Sequence, residues 1–587
     1  MVSRAVFASL MFVSLAGTAQ TDRDPASAVS VPPNALPSAP AAPSAPGVSA
    51  ENDTELNRLR RELEATRKDM RDQISELRGQ VATQSVAQGW QQEWVEEKKK
   101  LELFTIDGYL RVRPDLFNKF DLNRPATVNP DGSLSSLYPP SLLPGERTQA
   151  GVNTRFRFEP TLNLSEDIRI RTQMDILDNV IWGSTPEFAF RSDQSHALYL
   201  FTNQTAPRAN ANALVNSLSF RRVWGEVNTP VGLLRFGRMG DHWGLGMLYN
   251  NGNCLDCDYG DTVDRLHFVT EPLPGYFITP MISIGGTGPS YTHPWGGQPF
   301  NLSNSNSVID FTVEFARKEN AQQSRVKADN GIPVINYGLR FTYRSQKYDS
   351  TTGYDSLQAQ NTVGQNAVAS DGVSPTQVLR NAALFVPDVW AKFESKHLRL
   401  ETEVAGQLGT VGNRDILRND GPGGTILRYG GVMQGEGKFL DSALRVGLEV
   451  GFASGDNSST SPNALGSFFF NRDYRPDMIL WREILGPITN AVYARPSIRY
   501  EIIDGLSVFG GVMYSRAVHA AITPSGQNKN LGAETTVGAR FETDDGFFVS
   551  LTWDVLFPFS GLANTTVANA PSLDIAQALR GLAGIRF

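Results

Sequence analysis

Cysteine is almost missing from this sequence, with two residues among 587, and histidine is nearly as scarce at six. Two thiols cannot build a disulfide scaffold or a four-thiolate zinc site. Beyond the extreme N-terminus no uninterrupted apolar run reaches the roughly 20 residues that a membrane-spanning helix needs, so a helical transporter is excluded. A membrane barrel is not excluded, because its signal is alternation rather than hydrophobic blocks. The formal net charge of -7 argues against a broad basic surface, and no nucleic-acid partner is expected. Catalytic signatures are also missing: there is no GxSxG, no HExxH and no phosphate-binding glycine loop. The histidines fall mostly in expected loops or turns, without a recognisable nucleophile. No catalytic residue, metal site or cofactor is therefore assigned, and the chain is not read as an enzyme.

The first residues follow a different pattern. Arg4 precedes the apolar stretch Ala5 to Ala16, and the small residues Gly17, Thr18 and Ala19 follow. This is the layout of a secretory signal peptide over residues 1–19, with a short anchor helix as the alternative. Residues 20–50 are rich in Pro, Ala and Ser, cannot bury a core and read as an extended linker. Over 51–100, Leu56, Leu63, Met70 and Leu77 recur every seven residues, with Leu59, Ile74 and Val81 filling the seam. The spacing predicts a short periplasmic coiled coil, weakened by Thr66 and Gln73 on its seam. A self-association coil implies a homo-oligomer, with a trimer expected; one amphipathic helix packed on the rest of the chain is the alternative.

From residue 101 to 587 the hydrophobic period is two. Val152, Phe156, Phe158, Leu162 and Leu164 alternate with Asn153, Arg155, Arg157, Glu159 and Asn163. After Ser165-Glu166-Asp167, Ile168, Ile170, Met174 and Ile176 alternate with Arg169, Arg171, Gln173 and Asp175. Successive strand side chains face opposite ways, so one face is apolar and the other charged. The gaps between such segments also alternate. Short turns at 165–167, 228–232, 271–274, 394–397, 502–505 and 544–546 separate long connections such as 114–151, 240–262, 345–384 and 454–490. That is the layout of a barrel whose two rims face different compartments. Lys318 to Ile332 breaks the alternation, being too long for a short-rim turn. The expected fold is all-β: an antiparallel transmembrane β-barrel of about 18 strands (16–18), preceded by the short coiled-coil helix. A closed barrel pairs every backbone N–H and C=O within hydrocarbon.

The chain ends at Phe587, with Ile585 and Ala583 on the same face. In this it resembles bacterial outer-membrane β-barrel proteins, whose last strand ends in Phe. The resemblance implies an outer-membrane location in a Gram-negative bacterium, with the N-terminal region in the periplasm. It also implies contact with lipid and lipopolysaccharide, and Phe587 as the signal read by the barrel assembly machinery. VNTPVGLLRFGR (Val227 to Arg238) is similar to a hairpin of trimeric general porins. GFASGD (Gly451 to Asp456) is similar to strand-to-loop segments of alginate-export-type barrels. An N-terminal coil before the barrel also occurs in phosphate-selective-type porins.

A barrel of this size leaves an aqueous channel, and charge on its lipid face is costly, so the polar face must point inward. The pore-lining candidates are Arg111, Arg113, Arg155, Arg157, Arg169 and Arg171, with Glu159 and Asp175 placed to offset part of their charge. Such arginines either favour anions in the channel or form an internally paired structural ladder. The third long connection carries GDHWGLGM and then Cys254, Asp256, Cys257, Asp258 and Asp261. In the general porins this chain resembles, that loop folds inward and its acids face an arginine wall. The resemblance thus implies a constriction between Asp256, Asp258, Asp261 and the arginine cluster; a surface loop is the alternative. In an exported protein Cys254 and Cys257 favour a disulfide that pins the loop, with half a zinc site or a redox motif as the other readings.

These features support a porin-like channel for passive diffusion of small hydrophilic solutes with anion preference. Two further readings stand beside it: an export channel for an anionic polysaccharide, and an envelope tether whose linker and coil reach the cell wall.

Overall fold

The computed structural model describes residues 103–124, 127–128, 134–135, 147–181, 218–284, 308–350, 377–413, 422–457 and 464–587, apart from 566, 568 and 569. The signal peptide, linker and coil expected over 1–100 lie outside the described residues.

Eighteen long strands build the wall. They are β1 (Phe104–Asn118), β2 (Thr148–Asn163), β3 (Ile168–Ile181), β4 (Leu218–Thr229), β5 (Gly232–Gly240) and β6 (Thr262–Leu273). Next come β7 (Tyr276–Ile284), β8 (Ile309–Arg317), β9 (Val334–Ser350), β10 (Gln377–Glu394), β11 (Leu398–Val411) and β12 (Gly424–Phe439). The last six are β13 (Leu444–Ala453), β14 (Ala491–Ile503), β15 (Leu506–Ala517), β16 (Asn530–Glu542), β17 (Phe547–Pro558) and β18 (Ala576–Arg586). Each pairs antiparallel with the next, and β18 returns to β1 with Tyr109 opposite Arg586 and Asn118 opposite Gln577. The sheet is therefore closed and has no free edge. The two-residue piece Ala464–Leu465 adds a short parallel pairing to β12.

Alternation reads directly as inside and outside. On β9, Leu339 is 41% exposed and Arg340 1%, and Phe341 and Thr342 repeat the contrast. An apolar outer face around a charged inner one inverts a soluble fold and fits a wall in hydrocarbon. Tyr337 and Tyr500 face outward near the short-turn rim, as interfacial aromatics do, and Trp553 faces outward past the middle of β17. Tyr493 does not: it is buried on the lumen side.

The strands outrun their expected ends. β1 continues to Asn118, and β9 and β10 extend to Ser350 and from Gln377, well into the connection expected over 345–384. Polar residues there still pair across the ladder, so polarity alone did not mark the strand ends. The irregular connection after β8 holds a helix, α1 (Ala321–Asp329), whose Asn320 side chain caps the amide of Gln322.

Two of the long connections turn into the barrel. Residues 241–261, between β5 and β6, leave and return through one neck, where the amide of Asp241 donates to the carbonyl of Asp261 at 3.1 Å. Residues 466–490, before β14, bring a dense apolar set: Phe468, Phe470, Ile479, Leu480, Trp481 and Ile488 are all buried. They pack on small wall residues, among them Ala453, Ala491 and Ala517, and on Met247 of the first inward loop. The apolar core of this molecule thus lies within its lumen.

Candidate functional site: two inward loops and the lumen wall

The arginine cluster and the loop acids meet. Arg113 reaches Asp256 and Asp258, each at 3.0 Å, and Arg111 and Arg155 approach Asp258 at 3.4 and 3.6 Å. Three arginines absent from the sequence expectation complete the group. Arg482 lies 2.5 Å from Asp256, Arg475 3.4 Å from Asp258, and Arg580 of β18 3.3 Å from Asp256. Burial alone would raise both acids, but the surrounding guanidiniums hold them well below the usual carboxylate range.

The same wall arginines also take the loop's backbone. Arg111 donates to the carbonyl of Leu255 at 2.7 Å, Arg155 to that of Cys257 at 2.6 Å, and Arg157 to that of Gly252 at 3.4 Å. On β4, Arg221 donates to the carbonyl of Tyr259 at 2.8 Å and Arg222 to that of Asn251. These neighbours both turn inward because the β3–β4 register shifts by one residue at this point, a bulge that re-aims a side chain. A loop buried in a barrel must have its carbonyls satisfied, and the arginine wall does this.

Of the three loop acids expected to oppose the arginine cluster, Asp256 and Asp258 are in direct contact with it, and Arg111 and Arg155 are 0% exposed. Asp261 stands apart from the cluster: it accepts from the amide of Asn250 at 2.9 Å and from Nδ2 of Asn471 at 2.7 Å. Burial, offset only in part by the Asn250 amide, lifts it to about 6. Asp175 clamps its cross-strand partner Arg157 through contacts of 2.7 and 2.9 Å, whereas Glu159 accepts from Gln173 and not from an arginine. Arg171 pairs with Glu226 at 3.0 Å, and Arg169 sits beside the short turn near the carbonyl of Glu166, both away from the loop. Cys254 and Cys257 are joined as a disulfide at the loop tip, with Cα atoms 5.1 Å apart.

Each inward segment is also fixed by one buried wall glutamate. Glu403 of β11 accepts from the amides of Leu245, Met247 and Leu248 at 2.5, 3.3 and 3.2 Å. Glu534 of β16 accepts from those of Met478, Ile479 and Leu480 at 2.8, 2.9 and 2.9 Å. The segments then hold each other. Asp473 takes the amides of Asp258 and Tyr259, and Arg472 lies 4.1 Å over the Tyr259 ring.

Arg580 was legible from alternation, since it shares the inner face of β18 with Ala576 and Ala578. The second inward segment also had a signal: MILWREIL is too apolar for a surface loop. Glu403 and Glu534 had no signal that marked them as amide acceptors, because their partners lie more than 50 residues away.

Between the two segments and the wall of β12 to β14 remains a cavity of about 220 Å³. Gln434, Glu449 and Arg495, one residue from each strand and in register, form its wall side. Asn250, Asn253, Asp473 and Tyr474 are on its loop side.

No protein-family model matches the chain, and no curated protein matches it. In architecture it is similar to solved outer-membrane porins. OpdK of Pseudomonas aeruginosa, determined with vanillate, is 11% identical with a TM-score of 0.42, over 82% of this chain and 98% of that one. A BenF-like porin from Pseudomonas fluorescens Pf-5 is 8% identical with a TM-score of 0.44 over the same shares. OmpT of Vibrio cholerae is 9% identical with a TM-score of 0.33, over 84% and 100%. At such similarity nothing about solutes transfers, and the barrel stands on its own strand pairing.

Proposed function

We propose that this chain is a channel for passive diffusion of small hydrophilic solutes across the outer membrane of a Gram-negative bacterium, surrounded by lipid and lipopolysaccharide. The observation that carries the reading is a closed eighteen-strand wall, apolar outside and charged inside, whose lumen is narrowed by two polar-anchored segments. A lumen so occupied suits small solutes better than a polymer. Gly451 and Gly455 of the GFASGD segment have local steric reasons: a Cβ would come 2.2 Å from the Tyr493 ring at the first and 1.9 Å from the Asn490 side chain at the second. They lend no support to a polysaccharide conduit. The anion preference is assigned as weak, because the larger cluster, Arg475 included, is spent on Asp256, Asp258, Asp473 and loop carbonyls, and the other guanidinium bordering the cavity, Arg495, stands beside Glu449.

Single-channel recording in planar bilayers with a salt gradient tests this. Stable steps with a modest anion-biased reversal potential are expected. Neutralising Arg155 and Arg157 together should raise conductance and current noise, since they hold the first loop, while reversal moves little. Silence from a correctly folded barrel would sink the channel reading. A fall in anion bias at unchanged conductance would return the selectivity to the buried cluster.

A further inference from the structure

Glu449 of β13 and Arg495 of β14 are direct cross-strand partners on the lumen face. Opposite charges so placed ordinarily meet. Here, among the described residues, neither is in an ion pair, with the other or with any third group. The contacts of Glu449 explain why. One carboxylate oxygen accepts from the hydroxyls of Tyr474 at 2.9 Å and Tyr493 at 2.7 Å, and the other from Nε2 of Gln434 at 3.2 Å. All three donors are neutral, so they fix the carboxylate without cancelling its charge. Gly451 permits this, since its bare backbone lets the Tyr493 ring lie across β13. Arg495, half-buried beside it, has no hydrogen bond among the described residues.

A carboxylate and a guanidinium, neither of them in contact with an opposite charge among the described residues, therefore stand side by side on one wall of the 220 Å³ cavity; Asp477 and Asp554 act on Arg495 only from beyond contact distance. At other points of the lumen opposite charges meet directly, as at Asp175 with Arg157 and Asp241 with Arg340. A simple anion in this cavity would face Glu449 about 5 Å from its own partner, and a simple cation would face Arg495 at the same range. A solute with both charges close together satisfies both groups. Liquid water takes about 30 Å³ per molecule, so the cavity has room for a solute of several heavy atoms.

We propose that this cavity is a subsite for small zwitterions of the α-amino acid class, with the ammonium group at Glu449 and the carboxylate at Arg495. The proposal rests on the channel reading above and names a solute class for it. Asn250 and Asn253 on the loop side supply amides for the solute's remaining polar groups.

The test uses the full-length protein in proteoliposomes, with labelled uptake of three solutes of similar size: L-serine, glycerate and ethanolamine. Glycerate lacks the ammonium group and ethanolamine the carboxylate. Serine is expected to enter at least about tenfold faster than either at low concentration and to saturate, the factor that one charge-assisted hydrogen bond supplies. Arg495→Gln should slow serine and glycerate but not ethanolamine. Glu449→Gln should slow serine and ethanolamine but not glycerate. Heat-modifiable gel mobility checks that each variant is folded, and the wild-type ranking decides the matter without them. Equal entry of all three solutes through a channel that still conducts ions would overturn the subsite and leave the channel. Absence of both uptake and ion current would overturn the channel reading, and the subsite with it.

Discussion

Single side chains decide how the lumen is shared between structure and passage. Arg111, Arg113, Arg155 and Arg157 have the charge expected of pore-lining residues, yet they are buried under a loop they hold. A buried guanidinium without its carboxylate costs on the order of 3 to 5 kcal/mol, so the arginines and Asp258 depend on one another. Asp261 behaves oppositely, since among the described residues it has no cation at contact distance and burial lifts it to about 6. An unfolded aspartate titrates near 3.9, so the folded chain holds this proton more tightly. The stability it contributes is therefore present below about pH 4, falls as pH climbs to about 6, and stays lower above that, by on the order of 3 kcal/mol. Asp261→Asn removes this dependence. Thermal unfolding in detergent should show the variant gaining on the parent between pH 4.5 and 7.5, and a difference constant over that range would contradict the assignment.

At the scale of elements, the two inward segments are separate pieces with equivalent anchors on different parts of the wall. In each, a glutamate collects three consecutive or near-consecutive amides that an irregular backbone leaves without partners. Leaving those amides bare in a dry interior costs more than the bonds gained. Glu534→Ala should therefore loosen residues 466–490, and Glu403→Ala residues 241–261. Each variant should give larger, noisier single-channel steps than the parent, while the Gln variants, which keep an acceptor oxygen, should lie between. Unchanged conductance in both alanine variants would show that the apolar packing of Phe468, Leu480 and Trp481 suffices by itself. Burial also pushes Asp477, which accepts from the amide of Trp481 at 2.9 Å, up to about 7. This places a second proton-sensitive group beside the Glu534 anchor.

For the whole molecule the decisive event is closure of β18 on β1. Phe587 lies on this seam: its amide donates to the carbonyl of Gly108 at 3.1 Å, its carbonyl accepts from the amide of Gly108 at 3.0 Å, and its ring is 5.9 Å from that of Phe156. Deleting Phe587 removes both bonds and the aromatic contact at the closing seam. The yield of heat-modifiable barrel on refolding into lipid is expected to fall several-fold, with wild-type conductance in the molecules that close. An unchanged yield would show that these contacts do not limit closure. The seam also explains why strand parity matters: an even number brings β18 back antiparallel to β1.

The sequence by itself determined the wall. Period-two alternation, short and long connections in turn, and a terminal Phe are local properties, and each strand must place its apolar face toward lipid whatever its neighbours do. Even the break after Arg317 was visible as a turn too long for its rim, and it holds α1. The arginines of β1 to β3 were legible as a lumen face for the same reason. Their use was not. Whether they line water or hold a loop depends on where residues 241–261 go, and that is fixed by Glu403, Arg475, Arg482 and Arg580, which are distant in sequence. Tertiary structure alone decided that Asp256 and Asp258 are neutralised, that Asp261 is not among them, and that Tyr493 faces inward to leave Glu449 and Arg495 charged side by side. Alternation specifies which way a side chain points, but only the folded barrel specifies what it meets.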